Sequence, residues 1–88
     1  MNQYLRILIV DDEADCRETY KMLLESKEYA AAAAGSAEEA LQLLQQEFYN
    51  IILSDIMMPG MNGLAFLQEV KKRYADRIEV IMTTGYGS

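Results

Sequence analysis

The sequence predicts an α/β fold built on a mostly parallel, doubly wound β-sheet. Short apolar, β-branched runs alternate with segments of helical periodicity from one end of the chain to the other. Polar and glycine-containing turns stand where the apolar runs end. Alternation of this kind implies right-handed crossovers and helices on both faces of the sheet. With 88 residues and 51% apolar content, the chain predicts a single domain over residues 1–88.

The first predicted strand covers residues 5–10, a short run that is almost wholly apolar, as in a strand covered on both faces. Glu13 and Asp15 then supply negative charge at the first turn of a helix that extends to about Lys27. The apolar positions that follow helical spacing in this segment are Cys16, Tyr20, Leu23 and Leu24.

The second predicted strand is an unusual run of five alanines at residues 30–34. Alanine favours helices over strands, but Tyr29 and Gly35 bracket a segment too short for a stable isolated helix. The alternation of elements therefore favours a strand here. Its small side chains indicate weak packing and a place at the edge of the sheet.

The second half of the chain continues the alternation. Ser36 and Glu39 form a capping box at the start of a second helix. The apolar stripe predicted for this helix consists of Ala40, Leu41, Leu44 and Phe48. A third strand follows at residues 51–53. A third helix comes next, in which Leu64, Phe66, Leu67 and Val70 lead to a basic last turn at residues 71–73. A fourth strand follows at residues 80–82.

Composition limits the classes of function. The 14 acidic and 8 basic residues give a net charge of −6, which opposes the phosphate neutralisation on which direct DNA or RNA binding depends. The single cysteine, Cys16, cannot form an internal disulfide, and its helical spacing favours packing. No secretory segment or apolar run of membrane-spanning length is found, and we expect no membrane association. These features favour a reducing, cytoplasmic setting.

Polar residues cluster directly after the predicted strands. Asp11 and Asp12 follow the first strand, Asp55 the third and Thr84 the fourth. The ligand site of an open parallel sheet lies beyond the carboxyl ends of its strands, so we expect these side chains to converge. Three carboxylates in one cleft are tolerable when a hard divalent cation balances them, and Mg²⁺ is the natural candidate, with the backbone carbonyl of Met57 as a further ligand.

Asp55 is the best placed of these acids to attack a phosphoryl group as a nucleophile, while Thr84 could offer its hydroxyl to a phosphoryl oxygen. Structural interpretations remain open for each residue. The pair Asp11-Asp12 could cap a helix, Asp55 could bond to nearby amides in a turn, and Thr84 could be purely structural. The methionines of the following loop could fill gaps over the core or contact a partner; they are Met57, Met58 and Met61.

Together these segments resemble the receiver domains of two-component response regulators. The resemblance rests on residues 7–13 (ILIVDDE), 55–63 (DIMMPGMNG) and 80–85 (VIMTTG), which match in order and separation. It implies a flavodoxin-like sheet with strand order 2-1-3-4, and phosphoryl transfer to Asp55 from a sensor histidine kinase or phosphotransfer protein. It also implies Asp12 and the Met57 carbonyl as Mg²⁺ ligands, Asp11 as the holder of a metal-bound water, and Thr84, in preference to Thr83, as the switch hydroxyl.

The sequence also departs from the family pattern. The family fold has a fifth strand that ends in a lysine, and here the chain stops at Ser88, shortly after the fourth strand. We therefore expect a C-terminally truncated receiver domain with impaired signalling and no enzymatic activity beyond self-phosphorylation or autodephosphorylation. Its open sheet edge predicts self-association as a dimer or swapped assembly. The alternatives are an inert interaction module with a vestigial acid pocket, and a Mg²⁺-dependent phosphohydrolase, whose second acid would fall at Met57.

Overall fold

The computed structural model describes residues 2–83, with side chains from Leu5 onwards. The described chain alternates strands and helices throughout, as the sequence predicts. The elements are β1 (Asn2–Val10), α1 (Ala14–Ser26), β2 (Tyr29–Ala34), α2 (Ala37–Gln46), β3 (Ile51–Asp55), α3 (Gly63–Tyr74), a 3₁₀ turn (Ala75–Arg77) and β4 (Glu79–Thr83). None of the helices among these residues has the length and apolar character needed to cross a bilayer.

The four strands form one parallel sheet in the order β2-β1-β3-β4. This confirms the predicted fold class and the strand order that the resemblance implied. β1 and β3 are the two central strands, and β2 lies at an edge. Because parallel strands leave their carboxyl ends at the same side of the sheet, the loops after β1 and β3 meet there.

The two faces of the sheet are covered by different helices. One face carries the fully buried residues Leu8, Val10 and Ile52. They pack against the apolar side chains of α2 and α3, including Phe66 and Val70. Successive side chains of a strand alternate between faces. The opposite face therefore carries residues such as Ile7 and Leu53, and α1 lies on it through Leu24.

The apolar stripe of α1 differs from the predicted one. Leu23 is 53% exposed, and no residue of the helix is fully buried. The stripe that faces the sheet runs through Cys16, Tyr20 and Leu24, all of them partly buried, at i, i+4 and i+8. Leu23 lies about 100° away from Leu24 around the helix and so faces outwards.

The C-terminal end of α2 also differs from the prediction. The helix ends at Gln46, so Phe48 falls outside it and is 47% exposed. Tyr49 takes the buried position instead, 4% exposed, with the Arg6 guanidinium 5.3 Å from the centroid of its ring. The extended backbone at Glu47 breaks the helical spacing on which the prediction for Phe48 depended.

The alanine run forms the predicted edge strand. Residues Arg6 to Val10 of β1 pair in register with residues Ala30 to Ala34 of β2. The helix that follows begins at the predicted cap, since the Ser36 hydroxyl accepts a hydrogen bond from the Glu39 amide at 3.1 Å. The reciprocal bond differs from the expected one, because the Glu39 carboxylate accepts from the Gly35 amide, at 2.8 Å, one residue before the cap.

Candidate functional site

The register of the central strands decides where the acidic residues lie. Val10 of β1 pairs with Ser54 of β3, so the chain leaves the sheet at Asp11 and at Asp55 on the same level. Asp55 in turn pairs with Thr83 of β4. Paired residues of neighbouring parallel strands point to the same face of the sheet, and the next residue on each strand points to the opposite face. Asp11 and Asp55 follow the pair Val10–Ser54, so both point to the side of the sheet on which α1 lies.

Three carboxylates converge at this edge of the sheet. Asp11, Asp12 and Asp55 each offer an oxygen, and the three oxygens lie within 4.8 Å of one another. Asp11 is 6% exposed and Asp55 5% exposed, whereas Asp12 faces solvent. None of the three forms an ion pair with a basic side chain of residues 5–83. This set of hard oxygen donors suits a divalent cation such as Mg²⁺, which prefers carboxylate ligands and leaves room for water.

Both buried carboxylates also make the local bonds that a structural role would require. The Glu13 amide donates to Asp11 Oδ1 at 2.9 Å, and the Met57 amide donates to Asp55 Oδ1 at 3.1 Å. In each case the carboxylate accepts from the backbone two residues ahead, which is the geometry of an Asx turn. The carboxylates of Asp11 and Asp55 therefore form local turns and also converge on one site. The turns fix the direction in which each carboxylate points.

The pKa of the Asp11 carboxyl is raised above its usual value. Burial is the main cause, and the neighbouring carboxylates Asp55 and Asp12 add to it, while the Glu13 amide and the Arg17 guanidinium act in the opposite direction. A raised pKa means that the folded state disfavours the ionised form. Ionised Asp11 consequently stores unfavourable free energy that a bound cation would relieve.

Two residues of α1 lie close to the acidic cluster. Arg17 Nη1 donates to the backbone carbonyl oxygen of Asp11 at 2.8 Å. The pKa of the Cys16 thiol is raised, by loss of solvation and then by the charges of Asp11, Glu13 and other nearby carboxylates, which keeps the thiol protonated at neutral pH. Sequence reasoning missed Arg17, because its partner is a backbone carbonyl, which no residue pattern marks.

The loop after β3 wraps closely over the backbone of Asp55. Asn62 caps α3 by accepting a hydrogen bond from the Ala65 amide at 2.9 Å. The next residue, Gly63, donates from its amide to the Ile56 carbonyl at 2.9 Å. A Cβ at Gly63 would collide with the Asp55 carbonyl oxygen and lie 2.6 Å from the Ile56 Cα. Only glycine allows this close approach of helix and strand.

The methionines of this loop have different environments. Met58 is buried in the core, and Met61 packs against it, in line with a gap-filling role. Met57 is 71% exposed and lines an open groove together with Pro59 and Leu64, the last of which is 55% exposed. An exposed apolar surface therefore adjoins the acidic cluster.

Thr84, to which the sequence assigned the switch hydroxyl, lies outside the described residues. Its competitor Thr83 is partly buried at the end of β4, and its carbonyl accepts a hydrogen bond from the Ile56 amide at 3.1 Å. The Met57 amide contacts Asp55, which puts the Met57 backbone next to the cluster.

Comparison with known proteins identifies the family. Residues 7–88 match the response regulator receiver domain. The chain belongs to this family, as the combination of a 2-1-3-4 parallel sheet and acids at the ends of β1 and β3 already indicates.

Several relatives are named as transcriptional regulators. The probable transcriptional regulator ycf27 of Guillardia theta is 38% identical over 82 residues, which is 93% of this chain and 32% of that protein. The transcriptional regulatory protein ResD of Bacillus subtilis is 38% identical over 82 residues, 93% of this chain and 33% of ResD. This chain thus spans about a third or less of the length of the curated relatives it matches.

Solved structures share the fold. The response regulator TrrA of Thermotoga maritima, crystallised in complex with Mg²⁺-BeF, has a TM-score of 0.87 and 37% identity, covering 94% of this chain and 71% of that one. The chemotaxis protein CheY4 of Vibrio cholerae also has a TM-score of 0.87, with 28% identity over 96% of this chain and 71% of CheY4.

Asp11→Asn is expected to stabilise the metal-free protein while it weakens Mg²⁺ binding. A carboxyl whose folded pKa is raised contributes stability at pH below its usual pKa of about 4, and this contribution is lost as the pH rises through the folded value. The neutral amide avoids that loss and its Oδ1 still accepts from the Glu13 amide. We expect about 1–2 kcal/mol more stability at pH 7 by urea unfolding without metal, and at least a tenfold weaker Mg²⁺ affinity by calorimetry.

Asp15→Asn is the control for this experiment, because Asp15 is an exposed acid in the first turn of α1 outside the cluster. Its replacement should leave Mg²⁺ affinity unchanged and should not raise stability, since it removes a charge that favours the helix N-terminus. A metal-free Asp11→Asn protein less stable than the wild type at pH 7 would contradict the unfavourable burial and repulsion assigned to ionised Asp11.

Gly63→Ala is expected to cost about 2–4 kcal/mol of stability, because the added Cβ meets backbone atoms of Asp55 and Ile56 that cannot move independently. Gly60→Ala is the matched control. Gly60 has φ +71°, and its Cβ would meet nothing closer than Glu38 Oε2 at 3.6 Å, so only backbone strain of about 1 kcal/mol applies. Urea unfolding of both variants tests the difference, and equal losses would argue against a steric requirement at Gly63.

Proposed function

We propose that this chain is a phosphoacceptor module in which Asp55 receives a phosphoryl group from a sensor histidine kinase or a phosphotransfer protein, with Mg²⁺ as cofactor. One observation carries the proposal. The carboxylates of Asp11, Asp12 and Asp55 lie within 4.8 Å of one another, at the site where the family resemblance expects them. The Mg²⁺-BeF complex of TrrA, a structural relative, supports the same chemistry for this chain.

Asp55 is the acceptor in this proposal. Its Oδ1 accepts a hydrogen bond from the Met57 amide, and its Oδ2, which accepts no hydrogen bond from residues 5–83, would attack phosphorus. The new bond joins an Asp55 oxygen to phosphorus as the bond from phosphorus to the donor's imidazole nitrogen breaks, and the released imidazole takes up a proton. The buried position of Asp55 keeps bulk water away from the acyl phosphate that forms.

Asp11 and Asp12 have the supporting role. Asp12, which faces solvent, would act as a direct metal ligand, the buried Asp11 would hold a water of the cation, and the carbonyl of Met57 would be a further ligand. When bound, Mg²⁺ supplies the positive charge that lets an anionic phosphoryl group approach a carboxylate. Thr84 contributes the hydroxyl that responds to phosphorylation.

The partner contacts the exposed apolar surface beside the acceptor. Met57 and Leu64 are both more than half exposed and border an open groove next to Asp55. Exposed apolar side chains with polar residues around them are typical of a protein docking surface. The phosphodonor would therefore cover Met57 while it presents its histidine to Asp55. We place this exchange in the cytoplasm, because the single cysteine favours a reducing compartment.

Met57 argues against the phosphohydrolase alternative. An aspartyl phosphohydrolase needs a general acid near the nucleophile, and the position expected for it carries an exposed thioether that cannot donate a proton. We accordingly propose a phosphoacceptor that turns over at most its own phosphoryl group.

Incubation with acetyl phosphate and Mg²⁺ tests the proposal. We expect intact-mass spectrometry to show addition of one phosphoryl group, and Asp55→Asn to abolish it, because an amide cannot act as the nucleophile. Asp15→Asn should react like the wild type, since Asp15 lies outside the cluster. Chelation of Mg²⁺ should also prevent the reaction.

Each of the other outcomes selects a different function. Continuous release of inorganic phosphate at many turnovers would indicate a hydrolase. Absence of both phosphorylation and beryllofluoride binding in the wild-type chain would indicate an inert interaction module.

We also propose that the 88-residue chain self-associates through the sheet face that carries α1. An open groove of about 250 Å³ on this face is lined by apolar side chains, among them Ile7, Leu53 and the 48% exposed Ile81. The groove reaches β4, whose described sheet partner is β3 alone. A second copy would bury this surface and extend the sheet edge.

Ile81→Glu is expected to abolish self-association, because it places a charge in the shared apolar surface. Association of the wild type should strengthen with added salt, which screens the repulsion between copies of net charge −6. Met22→Glu is the control, since Met22 is 66% exposed on the outer side of α1. Sedimentation velocity measures all three proteins, and a monomeric wild type at high concentration would refute the proposal.

A further inference from the structure

Arg17 links α1 to Asp11, the first residue after β1. Its Nη1 donates to the carbonyl oxygen of Asp11 at 2.8 Å, in a partly buried position. The backbone amide of Arg17 donates to the Glu13 carbonyl at 3.0 Å, and the Glu13 amide donates to Asp11 Oδ1 at 2.9 Å. These three bonds close a ring that holds Asp11 by its carbonyl and by its carboxylate.

The carbonyl that Arg17 binds belongs to the peptide between Asp11 and Asp12. Rotation of this peptide would move the Cα of Asp12 and so redirect its carboxylate. The amide of Asp11 is fixed separately, by donation to the Ala34 carbonyl at 3.1 Å. The side chain of Asp12, by contrast, has no hydrogen-bond partner among residues 5–83 and faces solvent. Its position thus depends on the peptide that Arg17 restrains.

The Arg17 guanidinium fits against Gly35, which has no side chain to displace it. A Cβ on Gly35, in the turn after β2, would lie 3.1 Å from Arg17 Nη1 and 3.5 Å from its Cζ. Gly35 is itself held by donation from its amide to the Glu39 carboxylate at 2.8 Å. Arg17 forms no ion pair with a carboxylate in the described chain, so its bond to Asp11 is not shared with an acidic partner.

We infer that Arg17 is a positioning residue for the metal site, which sets the Asp11–Asp12 peptide so that both carboxylates face the cation that Asp55 binds. The inference rests on the proposed function above and adds a residue to it. Arg17 touches neither the cation nor the phosphoryl group. Its effect passes through the backbone that it binds.

The direction in which Mg²⁺ affinity changes on substitution of Arg17 separates this positioning role from simple electrostatics. Arg17→Met removes a positive charge near the site, and electrostatics alone would then tighten Mg²⁺ binding. Loss of positioning would weaken it. We expect about tenfold weaker Mg²⁺ affinity by calorimetry, the scale typical of residues that orient metal ligands. Arg17→Lys, which keeps the charge and one donor, should recover part of the affinity.

A second readout needs no metal. Hydrogen exchange of the Glu13 amide, followed by NMR in metal-free protein, reports on the bond to Asp11 Oδ1. We expect about tenfold faster exchange at Glu13 in Arg17→Met. Arg73→Met is the matched control, because Arg73 pairs with Glu69 on the exposed side of α3, and it should change neither measurement.

The outcomes are separable. Unchanged or tighter Mg²⁺ binding by folded Arg17→Met, or unchanged exchange at Glu13, overturns the inference. Should Arg17→Met not fold, Gly35→Ala tests the same contact by pressing a methyl group on the guanidinium, and it should weaken Mg²⁺ affinity about two- to fivefold. No effect of Gly35→Ala would then refute the role. A wild-type chain that fails to bind Mg²⁺ removes the proposed function, while exchange at Glu13 still decides whether Arg17 holds the turn.

Discussion

The constraint on which the rest of this site depends is the register of β1 against β3. Pairing of Val10 with Ser54 brings Asp11 and Asp55 to adjacent positions, and both carboxylates are nearly buried. Burial raises the pKa of the Asp11 carboxyl, and the charge of Asp55 beside it raises that pKa further. A shift of one residue would separate the two acids, but it would also exchange the side chains that β1 presents to the two covered faces of the sheet, and Leu8 and Val10 would lose their places in the core. The core therefore enforces the repulsion.

The fold was predictable where local pattern and burial agree. The strands at β1, β3 and β4 are short apolar runs, and α2 begins at the side-chain cap that the sequence predicts. The errors fall where one residue decides the outcome. Leu23 and Leu24 are both apolar, and spacing alone does not say which faces the sheet. Phe48 continues the period of α2, but the backbone has already become extended at Glu47.

The acidic cluster was predictable because topology alone gathers the ends of parallel strands. Each acid needed only to follow an apolar run. Arg17 was not predictable in this way, since its partner is a backbone carbonyl and every residue has one. The same limit applies to Gly63, which is recognisable as a turn residue, although its collision with the Asp55 backbone is a property of the assembled loop. Side chains that bind backbone become identifiable only once the fold exists.

A connection from Asp55 to β4 follows from the same geometry. Asp55 is the last residue of β3, and the next amide, that of Ile56, donates to the Thr83 carbonyl at 3.1 Å. On the other side, a Cβ at Gly63 would lie 2.8 Å from the Met82 Cε, so the start of α3 presses directly on β4. The backbone around Asp55 is therefore connected to β4 by one hydrogen bond and by one packing contact. Close packing of this kind transmits small displacements and does not absorb them, because the interior has no empty volume into which side chains can relax. Because β3 and α3 both contact β4 and the loop after Asp55 joins them, β4 is directly coupled to the backbone around Asp55.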